Sequence, residues 1–134
     1  MSASKAPLTK PIHALPHGRI RIEAVVRDDG SCPAKEFLDG LDAGKTAKMK
    51  ALFTLFIERF PQPLSGEKFK KIEGTEDLFE FKSFQIRIPC FFVSGGRILL
   101  THGLIKQQDR LRPSEIARAN EIKGVFDRRM KSHG

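Results

Sequence analysis

The stretch LFEFKSFQIRIPCFFVSGGRILLTHGLI, residues 78–105, decides the fold. It holds three extended runs, Leu78–Lys82, Gln85–Val93 and Arg97–Ile105. Short joints separate them, Ser83-Phe84 and Ser94-Gly95-Gly96, and the paired glycines of the second mark a hairpin. In the last run Ile98, Leu100, His102 and Leu104 share one face, and Leu99, Thr101, Gly103 and Ile105 the other. Apolar groups on both faces predict a central, covered strand. Pro89 lacks an N–H, so the middle run is expected to carry a bulge or lie at an edge.

Upstream of this meander, Met49, Leu52, Phe53, Phe56 and Phe60 recur at helical spacing, and Pro61 ends the pattern. A shorter helix opens at Pro33 and carries Phe37, Leu38 and Leu41. Ile20–Arg27 alternates as a strand before the turn Asp28-Asp29-Gly30. Downstream, Pro113 opens a last helix with Ile116, Ala119, Ile122 and Phe126 inward and Arg118, Arg128 and Arg129 outward. The expected order is β-α-α-β-β-β-α, an α+β fold. Residues 1–18 contain Pro7, Pro11 and Pro16 and few large apolar groups, so they are read as a flexible leader to a single domain spanning residues 19–134. His13 and His17 stand four apart, but Pro16 between them disfavours the helix that a metal pair would need.

At 134 residues the chain has room for one core. Its net charge is +8, and residues 97–134 hold nine Lys and Arg against four Asp and Glu. That surplus suits a nucleic acid or an acidic protein partner. No apolar run approaches the ~20 residues of a membrane span, and no secretory h-region is visible. Cys32 and Cys90 are too few for a disulfide framework or an all-Cys zinc site, so a cytoplasmic location is expected. Phosphate-cradling loops, dinucleotide motifs, HExxH and nucleophile elbows are absent from the sequence. With neither Tyr nor Trp, a phenolic acid–base group is excluded too. What recurs is cations: Lys68, Lys70 and Lys71 before the meander, Lys82 and Arg87 within it, and Lys106, Arg110 and Arg112 after it. Strands lie about 4.8 Å apart, so such side chains can converge on one phosphate-sized site. His102 sits among leucines and reads as a buried, hydrogen-bonded ring.

Three stretches carry a resemblance. Lys71–Arg87 resembles the "K-x-L-x-G…L-x-E-h-R…y-R" pattern of phage-derived HigB-like toxins, in the RelE/ParE toxin superfamily. Ile98–Lys106 is similar to their "h-h-L-h-H-x-F-x-K-K" strand, and Pro113–Ala119 to their "T-P-x-x-E-I-x-x-A" helix start. The resemblance implies a RelE-like antiparallel sheet with two N-terminal helices packed on it and a C-terminal helix. It implies the toxin of a type II toxin–antitoxin system, cutting mRNA in the ribosomal A site without metal or cofactor. In that chemistry a 2′-hydroxyl attacks the adjacent phosphate, and fixed cations stabilise the phosphorane. The implied partners are a helix-turn-helix antitoxin and the ribosome with its mRNA.

Carried over by position, Arg87 would hold the scissile phosphate, assisted by Lys82, Lys106 and Lys71, with His102 moving a proton. Lys68, Lys70, Arg110 and Arg112 would bind RNA. Lys82 replaces an arginine and loses its bidentate fork, Gln107 replaces a lysine, and Arg112 replaces a threonine cap. Two other readings keep the fold: a ParE-like topoisomerase inhibitor and a non-catalytic nucleic-acid-binding phage regulator.

Overall fold

The apolar runs assemble one seven-stranded sheet with helices on both faces. The computed structural model describes residues 6–108 and 110–133. In chain order the elements are β1 (Thr9–Pro11), β2 (Arg21–Val25), α1 (Pro33–Asp39), α2 (Ala43–Arg59), β3 (Phe69–Lys71), β4 (Phe79–Ser83), β5 (Ile86–Val93), β6 (Arg97–Leu100), β7 (Leu104–Ile105) and α3 (Pro113–His133). Across the sheet the order is β1-β2-β6-β5-β4-β3, with β7 also beside β5. Pairing is antiparallel except between β2 and β6, which run parallel. The expected α+β order is present, with two short strands added, β1 and β3, and the run expected over Arg97–Ile105 divided into β6 and β7.

Helix α2 starts where Asp42 accepts the Lys45 N–H at 2.9 Å and stops ahead of Pro61. Its buried face presents Met49, Leu52, Phe53, Phe56 and Ile57 to the sheet. Phe56 stands at the centre of an aromatic cluster, 4.9 Å from the Phe69 ring and 5.0 Å from that of Phe81. Ile22, Ile88, Ile98 and Leu100 complete this core, on which α1 also packs. The opposite face is a smaller core of Val25, Ile72, Leu78, Phe91 and Leu99, covered by Ala119, Ile122 and Phe126 of α3.

Pro89 explains why the third run of the meander splits in two. The Pro89 carbonyl points to the β6 side and accepts the Thr101 N–H at 2.9 Å. Its missing N–H faces the same way, so the ladder cannot continue there. The chain leaves the sheet at Thr101, His102 and Gly103, and pairing resumes as β7. Phe37 of α1 fills the gap so closely that a Cβ on Gly103 would lie 2.2 Å from its ring.

The segment read as a flexible leader is, from residue 6 onward, part of the fold; residues 1–5 lie outside the described residues. Thr9–Pro11 pairs with Val25–Glu23, and Ile12 and Leu15 pack on the α1/α2 core. Proline is tolerated because β1 is an edge strand. Arg129, expected to face outward, is buried and ties this segment down. It donates to the carbonyls of Ala6 at 2.7 Å, Pro7 at 3.2 Å and Val26 at 2.9 Å. Sparse apolar content hides such an anchor, because its acceptors are backbone carbonyls and its donor lies at the far end of the sequence.

Removing residues 1–18 strips the Ala6 and Pro7 acceptors, leaving that of Val26, and removes the cover of Ile12 and Leu15. Partial burial of the two side chains is worth about 3 kcal/mol. A chain starting at Arg19 should therefore melt about 10 °C lower by calorimetry. An unchanged Tm would show the segment to be an ornament.

Candidate functional site

Register decides which cations share a face. Residues directly opposite in neighbouring strands project to the same side of a sheet. Lys70 pairs with Glu80, Glu80 with Pro89, and Lys82 with Arg87, so all five lie on the α3 face. Lys71 pairs with Phe79, which faces the α1/α2 core, so Lys71 projects to the other side. The lysine expected to join Arg87 is thus one position off. Lys70 takes that place.

Helix α3 packs on Val25 of β2, Leu99 of β6 and Phe91 of β5, and its first turn borders the part of this face beside β3 and β4. A groove of about 480 Å³ remains there, lined by Lys70, Glu80, Gln108, Arg110, Pro113 and Ile116, among others. Glu80 is its buried carboxylate, only 5% exposed. Burial pushes the Glu80 carboxyl above its usual value, opposed by the fields of Arg87, Lys70, Lys82 and Lys106. Among the described residues Arg87 alone lies within 4 Å of that carboxylate, and the three lysines act on it through longer-range fields.

Arg87 is 6% exposed and turns inward rather than into the groove. Its Nη1 donates to the Phe84 carbonyl at 2.6 Å and to that of Ile86 at 2.8 Å, and its Nε lies 3.7 Å from Glu80 Oε1. A guanidinium inside a sheet needs its own acceptors, and the β4–β5 turn supplies them. Lys82 Nζ donates to the Gly66 carbonyl at 3.1 Å. Burial, together with Lys70 and Arg87, lowers its pKa. Lys106 follows β7, and its N–H bonds the Gln85 carbonyl at 2.8 Å.

The remaining candidates scatter. Lys68 lies just before β3 and is exposed, and its carbonyl accepts the Lys82 N–H at 2.9 Å. Arg110 reaches across the groove rim to Glu73 at 3.0 Å. Arg112 precedes α3, where its carbonyl accepts the Glu115 and Ile116 N–H groups. His102 is wholly buried away from the groove lining and bonds at both ring nitrogens. Nε2 lies 2.9 Å from Glu115 Oε1, and Nδ1 lies 3.0 Å from Thr101 Oγ1. As the Nε2–H tautomer a neutral ring donates to Glu115, while the one Thr101 hydroxyl proton is shared between Nδ1 and the Pro89 carbonyl, 3.1 Å away. His102 is therefore a strut between the strand break and α3.

Sequence reasoning passed over Glu80 as a functional group. The available signal was its place between Phe79 and Phe81 in an otherwise apolar strand, where a carboxylate is costly unless cations surround it.

Burial lowers the His102 pKa more than the Glu115 contact raises it. A group with a depressed folded pKa that is neutral when buried adds stability above its unfolded pKa, here 6.5, and loses it as pH falls through the folded value. Urea unfolding at a series of pH values should show stability dropping as the ring is forced to charge. His102→Gln should flatten that limb; an unaltered slope would assign the acid sensitivity elsewhere.

A comparison with curated proteins returns no match. The family model described as Phage derived protein Gp49-like (DUF891) matches residues 36–123. The matched span runs from α1 into α3 and includes Lys70, Glu80, Lys82, Arg87 and Lys106. With most of its length inside that span, the chain belongs to the phage-derived Gp49-like family, a RelE/toxin-like family.

Proposed function

We propose that this protein is the HigB-like toxin of a type II toxin–antitoxin pair, and that it cuts ribosome-bound mRNA without a metal. The observation that carries the reading is Glu80: a buried carboxylate lining an open groove, opposite Lys70 in the ladder, 3.7 Å from Arg87 and on the same sheet face as Lys82. Strand breakage by a neighbouring 2′-hydroxyl needs a base for that hydroxyl and positive charge around the phosphorane. Glu80 takes the 2′-hydroxyl proton as O2′ bonds to phosphorus. The P–O5′ bond breaks, and the Lys70 ammonium, opposite Glu80 in the ladder, protonates O5′. The products are a 2′,3′-cyclic phosphate and a 5′-hydroxyl. Arg87 acts from beneath as a positioning residue, holding Glu80 and the β4–β5 turn, while Lys82, Lys106 and Arg110 hold phosphates. The net charge of +8 supports both an RNA substrate and an acidic antitoxin that covers the groove.

Glu80→Gln should slow mRNA cleavage at least about 100-fold, the usual contribution of a positioned base. In the parent the rate should fall as pH drops through the Glu80 pKa, which burial raises from its usual value. Lys70→Ala, at an exposed site, should slow cleavage with the Tm unchanged. Primer extension on mRNA from induced cells reads both variants. Full cleavage by each would end the assignment.

A further inference from the structure

Phe84 is a residue that the fold does not need. It is 77% exposed, more than any other large apolar side chain of the described residues. Its backbone φ is +54°, a left-handed conformation that a bulky side chain adopts at a cost and that glycine or asparagine adopts easily. Neither burial nor backbone preference therefore accounts for phenylalanine in this turn. A strained position of this kind points to a role outside the fold.

Its surroundings indicate what that role is. The Lys48 ammonium sits 4.2 Å from the ring centroid. Two grooves flank the ring. One is lined by Asp42, Lys45, Lys48 and Ile105, the other by Lys48, Lys68 and Lys82 with a single carboxylate, Glu67. Lys48 and Lys68 form no ion pair with a carboxylate among the described residues, whereas Asp42 of the first groove is occupied by Lys45. The turn itself is pinned, because the Phe84 carbonyl accepts the 2.6 Å bond from the buried Arg87 guanidinium. An exposed aromatic face on a fixed turn, with cations on both sides, is the arrangement that binds single-stranded nucleic acid through base stacking and phosphate contacts.

We propose that Phe84 is a stacking platform for one nucleobase of a single-stranded RNA whose phosphates lie against Lys48, Lys68 and Lys82. This deepens the nuclease reading and rests on it for the choice of RNA. The strand crosses the β4–β5 turn on its way to the Glu80 groove. Arg87 links the two places, since one guanidinium holds both the turn and the carboxylate.

The chain has no tryptophan and no tyrosine, so Phe84→Trp introduces a sole indole reporter at the platform. Titrating this variant with hexa-adenylate RNA should quench its fluorescence saturably. By competition, Phe84→Trp should bind at least as tightly as the parent. Phe84→Gly, which suits the positive φ, should keep the Tm yet bind about 10- to 100-fold more weakly. Phe84→Leu, apolar without a π face, should be equally weak. No quenching, or Phe84→Leu binding like the parent, would overturn the proposal; loss of antitoxin binding in Phe84→Leu with RNA affinity intact would overturn it in favour of a protein-docking role. The result separates from the nuclease test. Quenching in a protein that does not cleave keeps the platform and removes the nuclease, whereas cleavage with no effect of Phe84→Leu removes the platform alone.

Discussion

A single missing hydrogen-bond donor organises the centre of this molecule. Pro89 lies in β5, which has neighbours on both sides. Proline inside a paired strand survives only where the ladder is already interrupted. The alternation of backbone groups points the deficit away from β4, whose pairing runs unbroken from Phe79 to Ser83. All of the disruption falls on the partner between β6 and β7. The released residues find other uses: Thr101 bonds Pro89, His102 reaches Glu115 of α3, and Gly103 admits the Phe37 ring of α1. Helices on opposite faces of the sheet are thus fastened at one interruption.

The Glu80–Arg87 pair is the second constraint. Both side chains are buried, and burying an ion pair of this sort rarely adds stability over an apolar pair of equal volume. Its retention is easier to understand as positioning. Arg87 Nη1 meets two carbonyls while its Nε faces the carboxylate. The guanidinium therefore couples turn geometry to the orientation of Glu80. Truncating either partner would leave the other charge buried without its counterpart.

Much of the architecture was legible in the residues. The glycine pair at 95–96 does form the β5–β6 hairpin, with φ of +87° and +71°. The stripe from Met49 to Phe60 does face the sheet. These signals are local, and periodicity reports them. What stayed hidden depends on partners distant in sequence. The leader packs because Arg129 reaches it; the inward turn of Arg87, by contrast, rests on the nearby Phe84 and Ile86 carbonyls, a turn contact that periodicity does not report. At the site, sequence alone picked Lys71 over Lys70, because a one-residue change of register moves a side chain to the other face. Glu80 was legible as a cross-strand partner of Arg87 but not as a functional group, for a related reason. An isolated carboxylate in a strand reads as surface until its neighbours across the ladder are known.

The Arg129 clamp also has a meaning for the order of synthesis. Strand β1 is made first, yet its carbonyl acceptors wait for a guanidinium near the end of α3, and β2 waits for β6 as its parallel neighbour. Non-local pairings of this kind close late, after the intervening chain is available. A nascent chain that has not reached residue 129 already includes the residues of α1, α2 and the β4–β5 hairpin, but α3 is incomplete and the N-terminal edge is unclosed. Such an edge offers backbone donors and acceptors to any extended segment that arrives first.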